Sequence, residues 1–217
     1  MDSFDGFVTG LREQLDGPLP GTSAQLTMAP SYRMTPEQAR VEGKSCREAG
    51  VLALLFPDGS RVHVVLTVRR DELPDHPGQI AFPGGQREAG ESLRATALRE
   101  AHEEVGLQRD RVQVLGALTP LYIPPSNFCV HPFVGVTAAP PALCPTDAEV
   151  AHILRVPLDH LLRPEARRRE PWTLHGSTVD VPFFAVDDHT VWGATAMMLA
   201  ELLAVVRPLY PSLTIPS

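Results

Sequence analysis

Apolar residues recur every four positions along Leu93, Ala97, Ala101 and Val105, with Leu98 beside them. A stripe of that period predicts an amphipathic helix. Ser92 precedes it as an N-cap, and Glu91 adds negative charge where the helix dipole is positive. Gly106 stands where a left-handed residue closes a helix, followed by apolar Leu107. The helix is therefore expected over 92–105. Phe4, Phe7, Leu11 and Leu15 form a second helical stripe, closed by Gly17-Pro18. Residues 17–35, rich in Pro, Ser and Thr, read as a linker draped on the surface, and 36–47 as a short polar helix.

Elsewhere the pattern is that of strands. Runs at 51–56 and 61–68 flank Pro57-Asp58-Gly59-Ser60, a strong hairpin turn. A long loop over 69–77 leads to a short strand at 79–82. Further strands are expected at 112–118 and 130–136, and a hairpin at 178–186 and 190–192 around Asp187-Asp188. A short helix begins at Leu158, and 194–206 is apolar almost all round, as a buried helix is. Strands framed by helices make an α/β sandwich. At 217 residues the chain suits one buried domain. The reading is an N-terminal helix and linker over 1–35, a main domain over 36–207 and a tail over 208–217.

The polar positions of the 92–105 helix carry the chemistry. Glu100, Glu103 and Glu104 share one side, at i, i+3 and i+4. Like charges so spaced cost about 0.2–0.5 kcal/mol per pair, and the last turn adds an unfavourable dipole. Leu107 and Gln108 bring no cation one turn on, so the missing positive charge is expected from outside the helix. Hard divalent cations take such oxygen ligands. Cys46, Cys129 and Cys144 are isolated, with no zinc-like spacing.

Gly85, Glu91, Arg99, Glu100, Ala101, Glu103, Glu104, Gly106 and Leu107 fill every specified position of the pattern Gly-x5-Glu-x7-Arg-Glu-U-x-Glu-Glu-x-Gly-U, where U is apolar. This is the Nudix box, and the chain resembles the Nudix hydrolases. The resemblance implies the Nudix fold, a mixed β-sheet sandwiched between helices (α/β/α), and cleavage of a phosphoanhydride. It implies Mg²⁺ or Mn²⁺ on Glu100, Glu103, Glu104 and the Gly85 carbonyl, with Arg99 paired to Glu91 to hold the loop on the helix. The general base is a helix carboxylate or Glu149. Upstream, 66–69, His76-Pro77-Gly78-Gln79-Ile80 and 82–85 are similar to the extra motif of the coenzyme A pyrophosphatase subfamily. Arg70 and Pro74 depart from it. This makes Arg69, Arg70, Gln79, Phe82 and Gly84 the candidate substrate residues. Tyr122-Ile-Pro-Pro-Ser126 and 191–196 also resemble that subfamily. The implied substrate is coenzyme A or a thioester of it. ADP-ribose, NADH or a non-catalytic nucleotide-binding scaffold are the alternatives.

Composition adds exclusions. The net charge of −7 and the lack of a basic stripe argue against nucleic acid as a partner. No apolar run reaches membrane-spanning length, and scattered cysteines suit a reducing compartment, so cytoplasm is the expected location. A homodimer stays open. His76 and Phe128 or Tyr122 are possible substrate contacts. His102 is expected to be exposed, and Met197 and Met198 to fill the core. Arg163, Arg167, Arg168 and Arg169 read as a solvated helix end, with contact to the 3′-phosphate of the implied substrate as the alternative.

Overall fold

The computed structural model describes residues 3–31, 35–70, 78–146, 148–174 and 176–211. Its main sheet is built around two long strands, β1 (Arg47–Asp58) and β2 (Arg61–Arg69), joined by the hairpin turn at Gly59. β1 also runs parallel to β7 (Phe128–Val136). The remaining strands are β3 (Ile80–Ala81), β4 (Gly84–Gln86), β5 (Gln113–Ala117), β6 (Leu121–Ile123) and β8 (Val150–Pro157). The central order is β3-β2-β1-β7-β5, with β4 on β1, β6 on β7 and β8 on β2. One parallel pair among antiparallel ones makes the sheet mixed.

β1 is buried on both faces, which explains its unbroken apolar run. Leu52, Leu54 and Phe56 pack beneath helix α4 (Leu93–Val105), against Ala97, Ala101 and Val105. Val51, Ala53 and Leu55 face the other way, into a larger core shared with helices α1 (Phe4–Asp16) and α6 (Gly193–Val206). Successive side chains of a strand point to opposite faces, so one strand serves two cores. A second sheet, β11-β10-β9, contains β9 (Arg167–Leu174), β10 (Ser177–Val186) and β11 (His189–Trp192). The α/β/α layering expected from the sequence is present. No helix among the described residues is long and apolar enough to cross a membrane.

Several expectations need correction. The stretch read as a surface linker contains helix α2 (Gly21–Leu26), and Gln25, Met28 and Ala29 are buried. Buried Glu201 of α6 fastens it, accepting from the Gly21 N–H, Gln25 Nε2 and the Thr119 hydroxyl. The polar helix expected over 36–47 is only α3 (Pro36–Ala39), opened by a Thr35–Gln38 capping box, with Gly43 at φ +74° further on. The isolated cysteines include a pair: Cys46 and Cys129 form a disulfide across 83 residues. That bridge is invisible until β1 and β7 are paired, because the two cysteines meet only there. The arginines at 167–169 open β9 rather than end a helix; the short helix α5 (Leu158–Leu161) stops before Arg163.

Candidate active site

Three glycines let the acidic helix sit against the sheet. β4 pairs antiparallel with β1, Gly85 opposite Gly50 and Gly84 opposite Val51. A Cβ on Gly50 would collide with the Leu93 carbonyl, so α4 begins in direct backbone contact with β1. A Cβ on Gly84 would come within 2.5 Å of the Gly50 carbonyl oxygen, and one on Gly85 within 2.6 Å of both Glu100 carboxylate oxygens. Ser92 caps the helix by accepting from the Ala95 N–H, and Gly106 ends it at φ +69°.

The carboxylates then separate in role. Glu104 is buried and accepts the Gly84 N–H at 3.1 Å. The Glu100 side chain is 18% exposed and that of Glu103 52%. Burial raises the Glu100 carboxyl above its usual range, opposed by Arg99. The expectation that this face lacks an internal counter-charge is wrong. Arg99 Nη1 donates to Glu100 at 2.8 Å and to Glu103 at 2.9 Å. The cation stands one turn upstream of Glu103 rather than downstream. Arg99 also grips Glu91 through Nε and Nη2, both at 3.1 Å, and the Gln86 carbonyl through Nη2. Glu91 accepts the Thr96 hydroxyl as well and is held below its usual pKa, chiefly by Arg99. Because Arg99 draws Glu100 and Glu103 to itself and Glu104 turns to Gly84, no ready three-residue metal cluster exists among the described residues.

Glu100, Glu103 and Glu104 border a cavity of about 1250 Å³. Of the residues anticipated from sequence, Arg69, Gln79, Phe82, Gly84, Gly85, Glu100, Glu103, Glu104 and Glu149 all border it. Arg69 pairs with Glu149 at 2.9 Å. Arg70 is exposed and not on the wall, its backbone N–H donating to the Glu149 carbonyl. Phe128 lines the cavity; Tyr122 does not, and its hydroxyl donates to Asn127. His102 is exposed as expected, with Nδ1 2.9 Å from the Leu107 carbonyl oxygen. His76 and Pro74 lie outside the described residues. Residue-level reasoning missed Arg47, whose guanidinium lies 4.1 Å over the Phe128 ring, and Trp192 at the cavity edge. Met198, expected only as core filler, is buried yet borders the cavity. The signal for Ile123, Pro124 and Trp192 lay in the segments at 122–126 and 191–196.

Residues 47–175, from the first residue of β1 to just beyond β9, match the model of the NUDIX domain. The chain is a Nudix hydrolase. It is 38% identical over 145 residues to the uncharacterized Nudix hydrolase NudL of Photorhabdus laumondii, a match that covers 66% of this chain and 77% of that one. It is 34% identical to the peroxisomal coenzyme A diphosphatase NUDT7 of Mus musculus, covering 75% and 71% of the two chains. To the Caenorhabditis elegans peroxisomal coenzyme A diphosphatase ndx-8 it is 38% identical, over 70% of its own length and 65% of that protein's. Among solved structures, RenU, a Nudix hydrolase of M. smegmatis, superposes with a TM-score of 0.51 at 20% identity. That superposition covers 75% of this hydrolase and 88% of RenU, and it bears on the fold alone. Helix α6, whose Gly193, Ala194, Thr195 and Met198 border the cavity, lies beyond the matched domain.

Proposed function

We propose that this hydrolase cleaves the diphosphate of coenzyme A, or of its thioesters, into 3′,5′-ADP and 4′-phosphopantetheine. The observation that carries the reading is the lining of the cavity. Glu100, Glu103, Glu104 and Glu149 border it together with Arg69. Ile123, Phe128, Trp192 and Met198 bring an apolar wall to the same space. Its volume exceeds the roughly 300–1,000 Å³ usual for small-molecule sites, which suits a long substrate with a charged centre and an apolar arm. Two relatives named as coenzyme A diphosphatases support the same choice.

The donor set fits Mg²⁺ or Mn²⁺. Glu100, Glu103 and Glu104 offer only hard oxygen, and the missing Cβ of Gly85 leaves Glu100 room beside the backbone. With the Gly85 carbonyl they would hold the ion, which supplies positive charge to the phosphoryl oxygens and lowers the pKa of water. Glu91 keeps Arg99 anchored through two hydrogen bonds, so Glu100 and Glu103 can turn away from it while the loop stays in place. Arg69 faces the same cavity and neutralises phosphate charge, while Gly84 permits close approach of the backbone. A carboxylate of α4 takes the proton of the attacking water in this reading. Glu149, oriented by Arg69, is the second candidate.

The test is product analysis after incubation with coenzyme A, acetyl-coenzyme A, ADP-ribose, NADH and dGTP in Mg²⁺ or Mn²⁺. Coenzyme A or its thioester is expected to be turned over fastest. Far faster turnover of an unrelated nucleotide would refute the substrate, and no turnover of any would refute the chemistry. The same reading places the enzyme in the cytoplasm with the coenzyme A pool. Thiol titration of protein isolated under alkylating conditions checks this: a fully oxidised Cys46–Cys129 pair would contradict it.

A further inference from the structure

Strand β1 runs along the wall of the large cavity. Arg47, Ala49 and Val51 alternate on it and all border the cavity, as residues on one face of a strand do. Gly84, whose N–H meets Glu104, lies opposite Val51. Phe128 lies opposite Arg47 in the parallel pairing with β7. Along the strand, Arg47 stands four residues from Val51, about 13 Å at the usual rise of a strand.

The exposed Arg47 side chain is held in place from several sides. Its Nη2 donates to the Ser126 carbonyl at 2.8 Å, and its guanidinium lies 4.1 Å over the Phe128 ring. Its backbone N–H donates to the Asn127 carbonyl, and the preceding residue, Cys46, is bonded to Cys129. A side chain fixed in this way loses little further freedom on meeting a ligand. The planar fork of a guanidinium carries more N–H groups than one carbonyl can use, and it matches the oxygens of a phosphate.

Charge on the wall gives this residue a distinct place. Arg47 and Arg69 are the arginines bordering the cavity among the described residues. Arg69 is paired with Glu149. None of the described ion pairs includes Arg47. Arg163 and Arg167 border a separate pocket that shares no lining residue with this cavity. An anionic group on the substrate, set apart from the diphosphate at the carboxylates, therefore has its partner in Arg47.

We propose that Arg47, steadied by Phe128 and the Ser126 carbonyl, receives the ribose 3′-phosphate and so selects coenzyme A over its 3′-dephospho form. The assignment rests on the coenzyme A reading and adds the group by which the substrate is chosen. The ribose separates the 3′-phosphate from the diphosphate, as β1 separates Arg47 from Val51 and Gly84.

The test compares kcat/KM for coenzyme A and 3′-dephospho-coenzyme A in Mg²⁺. The parent is expected to favour coenzyme A at least tenfold. Arg47→Gln should lose at least tenfold on coenzyme A, chiefly through KM, with a much smaller change on the dephospho compound. Arg47→Lys keeps the charge without the planar fork and should recover part of the loss. Lys44→Gln removes another cation, one that lies over the Tyr122 ring and off the cavity wall, and should keep the parental preference. Calorimetry in Mg²⁺ with 3′,5′-ADP and 5′-AMP reads the same subsite without turnover: the parent should bind 3′,5′-ADP at least tenfold more tightly, and Arg47→Gln should bind the two alike. Equal use of both substrates by the parent, an unchanged preference in Arg47→Gln, an equal loss on both substrates, or the same loss in Lys44→Gln would each overturn the subsite while coenzyme A cleavage stands. Turnover of neither compound would overturn both.

Discussion

Neighbouring glycines, 84 and 85, should fail in different ways when each gains a single methyl group. At Gly85 the added Cβ would stand 2.5 Å from Glu100 Cδ and 2.6 Å from both its oxygens. Ordinary contact begins at 3.4 Å, so the carboxylate must retreat by about 0.9 Å while Arg99 holds it at 2.8 Å. A misplacement near 1 Å costs about 10²-fold in rate, or about 2.7 kcal/mol of transition-state stabilisation. What the methyl meets is a side-chain end, so the fold yields locally. At Gly84 the same methyl meets backbone: the Gly50 carbonyl oxygen at 2.5 Å and Val51 Cα at 2.6 Å. Overpacking of this kind costs about 1–3 kcal/mol of stability, or about 2–12 °C in Tm for a chain of this size. Gly85→Ala is therefore expected to melt near the parent and lose about 10²-fold in kcat on coenzyme A, whereas Gly84→Ala melts early. Thermal melts and steady-state kinetics on both variants decide it. A Gly85→Ala enzyme with parental kcat would show that the Glu100 position does not matter to the reaction. A Gly84→Ala protein as stable as the parent would show that the β4–β1 packing is loose.

Glu104→Gln keeps an acceptor for the Gly84 N–H but removes a charge, so kcat should fall about 10²–10³-fold with circular dichroism unchanged; near-parental turnover would remove Glu104 from the proposed ligand set. Breaking the Cys46–Cys129 bridge, which closes 83 residues, should cost about 4.5 kcal/mol by loop entropy, read as a lower urea midpoint for Cys46→Ser; an unchanged midpoint would mean the bridge does not form in solution. Burial is the leading cause that lowers the pKa of both His63 and His131. The unfolded chain therefore binds more protons below the ordinary value of 6.5, and stability should drop as pH falls through that value towards the lower folded ones. His63→Phe should flatten the drop, as seen in denaturant midpoints at pH 7.5 and 5.5, and an identical slope would refute the assignment.

The helix of Glu100 was legible to within a residue because its stripe, its Ser92 cap and its Gly106 stop all agree. β1 and β2 were legible as apolar runs with a turn between them. β9 was not: it is a mostly exposed edge strand holding three arginines and Pro171, and such a strand carries no burial pattern. α2 was hidden because its buried polar contacts, Gln25 to Glu201 above all, join residues 176 apart. The α4 carboxylates of the cavity could be read from spacing on one helix. The rest of its wall was legible only in part: Phe128 was named in advance, whereas Arg47 and Met198 come from separate elements that meet only in the fold. The misreading of the acidic face had a simpler cause. A counter-charge was sought one turn ahead, and the folded chain takes it from one turn behind.

That guanidinium has a consequence for the life of the protein before any ion arrives. Arg99 behaves as a tenant cation: it keeps Glu91, Glu100 and Glu103 gathered as the chain folds. Mutual repulsion among these acids is thus offset without an ion. Under the proposed reading, loading becomes an exchange of one positive charge for another at Glu100 and Glu103, and a newly made molecule can assemble its architecture while short of magnesium.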